Sequence, residues 1–284
     1  MATYAVTGAT GKLGTLVLDE LLLKVEPADV VALARDTGKL STYADKGVQL
    51  RQADYDDPAS LDAALQGVDR LLLISGNAVG ERERQHGNVI RAAEKAGVSY
   101  FAYTSILKGD ASPLQLAPEH VATERLLAAS KLNYDILRNG WYSENYTGGL
   151  GQALETGAIL GAAGEGRISS AARADFAAGA AAALVSGKGG DVYELAGDES
   201  WTMAEFAAEV SRLAGKPVEY RNLSEGEFAK VLEGAGLPPP VAAMLASTSA
   251  LTAKGALHDE SGDLSRLAGR PTTPIAETIA RALR

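Results

Sequence analysis

The chain has 284 residues, 46% of them apolar, enough for one large α/β domain with a sizeable core. Its 27 basic and 36 acidic side chains leave a net charge of −9, which argues against nucleic acid or an anionic membrane as partner. With no cysteine, disulfides, thiolate catalysis and cysteine-bound metals are excluded, and a soluble, cytoplasmic protein is expected.

The chain opens on a short β-favouring run, Tyr4-Ala5-Val6-Thr7, that leads into Gly8-Ala9-Thr10-Gly11-Lys12-Leu13-Gly14. Leu13, Leu16, Val17 and Leu21 then recur at three- and four-residue steps, the core face of a helix. Strand, glycine turn and helix make a dinucleotide-phosphate cradle. Glycines let the pyrophosphate come close, and the helix N-terminus offers free N–H groups and a positive dipole end. The spacing is G-x-x-G-x-x-G, not the commoner G-x-G-x-x-G.

The near-continuous apolar run at residues 30–35 predicts a buried parallel strand, and further strands are read at 48–52, 70–75, 100–104 and 134–138. Asp57-Pro58 reads as an N-cap followed by proline at the first helical position. Val89, Ala92, Ala93 and Ala96 stripe another helix that Gly97 ends, and a further helix is predicted over 118–130. Strands and helices alternate, so the expected fold class is α/β, a doubly wound parallel sheet of Rossmann type. Beyond Arg138 glycines break the rhythm. An alanine-rich helix over 175–185 implies close packing on a neighbour, and a strand follows at Val192–Leu195. Thr202 with Glu205 and Ser224 with Glu227 read as capping boxes, flanked by the staple pairs Trp201/Phe206 and Leu223/Phe228. The tail from Pro238 reads as mixed helix and loop, with a last helix over 275–283. No linker separates two units. Residues 1–147 are expected to hold the dinucleotide and 148–284 to form a smaller α+β substrate lobe, interleaved with the first part.

The end of the second strand decides between NAD and NADP. A carboxylate there suits the ribose 2′-hydroxyl and an arginine the 2′-phosphate. Arg35 ends the strand, with Lys39 near it and Lys12 in the glycine turn, which favours NADP(H). Asp36 is the counter-signal, since turned inward it would serve NAD.

None of the ten tyrosines has lysine four positions later, so the Tyr-x-x-x-Lys acid of ordinary short-chain dehydrogenases is missing. The weak candidates for chemistry are Tyr103 and Ser105, at the end of the fifth strand, with His120 and Glu124 one helical turn apart. The last two make either a proton relay or a structural pair. His86 and His258 stand alone, and no metal site is expected. A quinone accepts hydride readily and needs cofactor alignment and a flat slot more than a built-in acid. Trp141, Tyr142 and Tyr146, just beyond the sixth strand, offer such a slot and are the candidate substrate contacts.

The motifs Gly8 to Gly14, Arg35, Tyr103-Thr104-Ser105, Glu119-His120, Glu124 and Arg138-Asn139-Gly140-Trp141-Tyr142-Ser143-Glu144-Asn145-Tyr146 resemble those of the NmrA-like atypical short-chain dehydrogenases. The likeness runs on through Gln52-Ala53-Asp54-Tyr55, Arg173-Ala174-Asp175, Tyr193 to Asp198 and Pro271-Thr272-Thr273, and it is strongest to the bacterial NADPH:quinone oxidoreductases among them. The resemblance implies two-electron reduction of a small planar quinone. It implies that Gly8, Ala9, Thr10, Gly11, Lys12, Leu13 and Arg35 hold the pyrophosphate and 2′-phosphate. Ser75, Gly76 and Asn77, then Arg138, Asn139, Gly140, Trp141, Tyr142 and Ser143, would line the nicotinamide end, and Arg173 is a further cofactor-binding candidate. Lys12 departs from the common glutamine, and Gly76-Asn77 from the common serines. Related activities within the group are triphenylmethane-dye reduction and non-enzymatic dinucleotide sensing. A homodimer is compatible with these features.

Overall fold

The computed structural model describes residues 2–284. Strand and helix alternate from the start: β1 (Tyr4–Val6), α1 (Lys12–Leu21), β2 (Val30–Ala34), α2 (Ser41–Ala44), β3 (Gln49–Gln52), α3 (Pro58–Ala64), β4 (Arg70–Leu73), α4 (Arg82–Ala96), β5 (Tyr100–Ile106), α5 (Ala117–Ala129) and β6 (Tyr134–Asn139). Then follow α6 (Glu144–Thr147), α7 (Leu150–Thr156), β7 (Ala158–Gly161), α8 (Arg173–Ser186), β8 (Val192–Leu195), α9 (Met203–Ala214), β9 (Glu219–Asn222), α10 (Glu225–Gly234), α11 (Pro239–Thr252), α12 (Asp263–Ala268) and α13 (Ile275–Ala282).

Seven strands form one sheet in the order β3-β2-β1-β4-β5-β6-β8, every neighbour parallel. The strand order reverses between β1 and β4, which opens a crevice at the C-terminal strand ends where such sheets bind ligands. Residue parity sorts the core onto two faces. Val6, Ala32, Leu72, Tyr100, Ala102 and Leu137 face α1 and α8. Ala5, Val31, Leu33, Leu71, Leu73, Phe101, Tyr103 and Ile136 face α3, α4 and α5. On α1 the inward stripe is Leu13, Val17, Leu18 and Leu21, with Leu16 only half-buried.

Local chemistry sets the element ends. The Asp57 carboxylate accepts from Ala59 N–H at the start of α3, and Gly97 closes α4 in the left-handed region. Both capping boxes form, and Trp201 stacks on Phe206 at 5.2 Å.

The chain after β6 passes between two layers. It builds a lobe around the parallel pair β7–β9 with α9, α10, α11 and α13, centred on Trp201, Phe206, Val210 and Ile279. Between visits to that lobe it returns to the sheet. The small residues of α8 let it lie close against α1, and β8 pairs with β6 as the sheet's last strand. Among the described residues no helix is long and apolar enough to cross a membrane, and no cluster of His, Asp or Glu is arranged to hold a metal.

Candidate active site

The glycine turn sits at the C-terminal end of β1. Gly8 has φ +59°, which a side chain rarely adopts. A Cβ on Gly14 would stand 2.3 Å from the Gly8 carbonyl oxygen, so only glycine lets α1 start this close to the strand. No side chain caps the first turn of α1, and that turn holds no acidic residue. Its first N–H groups lack an intrahelical acceptor. The cradle fits a diphosphate on geometry as well as on sequence.

Asp36 caps the turn after β2, its Oδ1 accepting from Gly38 N–H at 3.0 Å. The carboxylate that made NAD an alternative is thus engaged by backbone. Arg35 is exposed beside it and makes no ion pair among the described residues, which leaves the guanidinium free for a phosphate.

The loop after β4, Ser75 to Asn77, is held rigidly from below. Ser75 N–H donates to Thr104 Oγ1 at 2.9 Å, and Gly76 N–H donates to His86 Nε2 at 3.0 Å. The Thr123 hydroxyl donates to Glu119 C=O at 3.0 Å. It therefore accepts from His86 Nδ1, 2.9 Å away, which fixes His86 as the neutral Nδ1–H tautomer. Burial, with His120 and Arg82 nearby, holds its pKa down to about 3. Arg82 clamps the same loop, with Nε on Gly76 C=O at 2.7 Å and Nη1 on Glu119 at 2.8 Å. Sequence reasoning set His86 aside as isolated. Its spacing of three and seven residues from Val89 and Ala93, on the inner face of α4, was the signal that it pointed inward.

The proposed His120–Glu124 pair does not form. His120 Nδ1 meets the Tyr103 hydroxyl at 2.9 Å, and burial lowers its pKa to about 4. Tyr103 is fully buried on the α4–α5 face, and burial raises its pKa. Glu124 instead accepts from Arg138 through both oxygens, at 3.0 and 2.7 Å, and from Ser105 Oγ at 2.6 Å. The bidentate fork offers a carboxylate more than a neutral imidazole does. The remaining Arg138 nitrogen donates to Glu194 at 2.9 Å, so the guanidinium braces β6, α5 and β8. The other Glu194 oxygen accepts from Lys108 N–H at 2.7 Å, and Lys108 Nζ donates to Gly255 C=O at 2.5 Å, which ties the sheet to the second lobe.

The aromatic run divides. Asn139 ends β6, and Gly140 N–H extends the ladder to Leu195 C=O at 2.7 Å. Tyr142 turns into the α1–α8 core, edge-on to Phe176 at 5.2 Å and beneath the Arg173 guanidinium at 4.7 Å. Ser143 is buried with its hydroxyl on Ser170. Trp141 and Tyr146 go the other way, into a cavity of ≈ 690 Å³ walled mainly by apolar residues of α7, β7, α10 and α11. Tyr146 packs edge-on to Trp201 at 4.8 Å. Burial alone raises the pKa of its hydroxyl, which keeps an O–H donor at the cavity wall.

Residues 8–186 match a family model described as NAD(P)H-binding. Quinone oxidoreductase 2 of Escherichia coli is 51% identical over 277 residues, 97% of each chain. The crystal structure of that NADPH-dependent quinone oxidoreductase with NADPH superposes with a TM-score of 0.97, covering 99% of this chain and all of that one. An NmrA-like family domain-containing oxidoreductase of Aspergillus flavus is 30% identical over 99% of this chain and 94% of its own. Citrobacter triphenylmethane reductase with NADP(H) gives a TM-score of 0.95 at 38% identity, over 99% of this chain and 100% of that one.

Proposed function

We propose a function from one premise: the chain belongs to the NAD(P)H-binding, NmrA-like oxidoreductase family. It is an NADPH-dependent quinone reductase that carries out two-electron reduction. The reading is supported by one arrangement above all. An uncapped glycine turn stands at the C-terminal end of β1, and the segment that leaves β6 at the same end of the sheet puts Trp141 and Tyr146 on the wall of an apolar cavity.

The backbone of Gly8 to Leu13 holds the pyrophosphate, and Arg35 with Lys12 meets the 2′-phosphate. Ser75, Gly76 and Asn77 with Asn139, Gly140 and Trp141 flank the nicotinamide end; Arg173 approaches from the Tyr142 side. When bound, NADPH supplies a hydride, and the overall change is quinone plus NADPH plus a proton to hydroquinone plus NADP⁺. The Trp141 and Tyr146 rings orient a planar acceptor in the cavity, and its apolar walls exclude water. The Tyr146 O–H stands ready to hydrogen-bond a carbonyl oxygen on which negative charge develops. Residues 1–147 supply most of the cofactor site and 148–284 most of the substrate site. The cysteine-free, acidic chain suits a reducing cytoplasm.

The test is NADPH oxidation with benzoquinone, menadione and a cationic triphenylmethane dye, beside a direct measurement of NADPH binding. Quinone turnover without release of one-electron products supports the reading. Turnover of the dye alone assigns the sister activity. Binding with no turnover of any acceptor replaces the enzyme by a dinucleotide sensor.

A further inference from the structure

Helix α10 is built like a core helix and buried like a surface one. Phe228, Val231, Leu232 and Ala235 recur at steps of three, four and seven, the spacing that seats a helix on a hydrophobic core. Yet no residue of α10 is buried, and Val231 is 38% exposed. The helix rests chiefly on α11 and β7, and its stripe faces the cavity across from Leu160 and Leu245. Its capping box (Ser224 with Glu227) lets it form with little help from packing.

Phe228 and Leu232 are left half-buried and Val231 exposed, and apolar surface left partly wet is stabilised when an apolar group covers it. The wall opposite belongs to the chain's own lobe, so the cover must come from within the cavity. Among the described residues the lining holds one charged side chain, the exposed Arg221, which pairs with Glu219, and the remaining lining residues are uncharged, as suits an apolar ligand. The volume is that of a site for a drug-sized molecule, and a bare quinone ring stacked at Trp141 and Tyr146 fills only a fraction of it. Trp141 and Tyr146 mark the end nearest β6, and the α10 stripe stands on the α11 side.

We propose that the cavity is a site for the apolar side chain of a quinone. The ring lies at Trp141 and Tyr146, and an alkyl tail of several carbons runs along Phe228, Val231, Leu232 and Leu245. Substrates are therefore alkyl-substituted benzo- or naphthoquinones, which the enzyme distinguishes from bare ones by tail length. The inference rests on the quinone reading and deepens it.

The experiment uses one quinone head bearing methyl to octyl chains, below their aggregation limits. Binding is read by quenching of tryptophan fluorescence, and turnover by NADPH oxidation. Kd and KM should fall about two- to fourfold per added methylene before reaching a plateau, with kcat nearly constant. Leu232→Asn and Phe228→Ala, each checked for folding by circular dichroism, should flatten the slope for the longer tails and leave NADPH binding intact. A wild-type series with no chain-length dependence, while the methyl quinone is still reduced, overturns the tail site and spares the quinone reading. A slope unchanged in both folded variants also overturns it. No turnover of any member, with the chain-length dependence of quenching preserved, overturns the quinone reading and leaves the apolar-tail site standing.

Discussion

Arg138 was expected to touch the cofactor, and the structure makes it a brace. The two roles predict different consequences for Arg138→Ala. Arg138, Glu124 and Glu194 keep only 20%, 13% and 25% of their side-chain surface exposed. Three charge-assisted bonds of 2.7 to 3.0 Å hold them together. Truncating the arginine leaves two carboxylates facing each other in a poorly solvated place, with no cation between them. Breaking a largely buried pair in this way costs roughly 3–5 kcal/mol. Partial exposure moves the expectation to the lower end, about 3 kcal/mol. In a chain of this length that corresponds to about 6 °C in Tm. Urea denaturation and a thermal melt measure it. Arg138→Met combined with Glu124→Gln and Glu194→Gln should recover most of the loss, because no buried charge then goes unpaired. NADPH affinity in the folded Arg138→Ala protein should change less than threefold. A variant that melts within 1 °C of wild type but binds NADPH tenfold or more weakly would refute the brace and return Arg138 to the cofactor.

Arg35→Ala should weaken NADPH about 10- to 100-fold, the loss of one or two charge-assisted bonds, and leave NADH nearly unchanged; equal losses in a fluorescence titration would sink the 2′-phosphate assignment. His86 has its folded pKa depressed to about 3, against an ordinary value near 6.5. The unfolded chain thus binds more protons in that window, and His86 contributes stability above pH 6.5 that is lost as pH falls toward 3. His86→Gln, which keeps an acceptor for Gly76 N–H, should give a shallower acid limb in urea melts, and an identical slope would count against the neutral tautomer. Tyr146→Phe should lower kcat/KM for quinones about tenfold with NADPH affinity unchanged, and an unaltered kcat/KM would remove its O–H from the reaction.

What sequence made legible was whatever depends on period and local chemistry. Short β-favouring runs, most clearly the apolar one at 30–35, marked the strands, helical stripes marked the covering helices, and both capping boxes formed where Thr202/Glu205 and Ser224/Glu227 placed them. The first six parallel strands and the glycine turn followed from these, whereas the return of Val192–Leu195 to the sheet as its seventh strand did not. Choice of partner was not legible. His120 and Glu124 lie one turn apart as predicted, yet each found another partner on the sheet beneath α5, Tyr103 for one and Arg138 for the other. Spacing specifies which residues share a face, and the competition among distant side chains decides what they bind. Trp141, Tyr142 and Tyr146 were read as one slot because they are neighbours in the chain. An extended backbone sends successive side chains to opposite sides, and Tyr142 went to the α8 core. The α10 stripe looked like ordinary packing, since sequence does not distinguish a face that meets a core from one that meets a cavity.

The late return of the chain to the sheet governs how the protein can be recombined. Helix α8 and strand β8 belong to the cofactor layer, although both lie inside the stretch that builds the substrate lobe. An exchange of lobes with a relative at one cut near residue 147 would import a foreign α8 against the native α1 and a foreign β8 against the native β6. A workable graft keeps residues 173–195 with the host and replaces the flanking segments on either side. Ribosomal synthesis meets the same ordering. The nascent sheet carries an unpaired β6 edge until residue 195 has emerged, so the cofactor half matures only after part of the substrate lobe has been made.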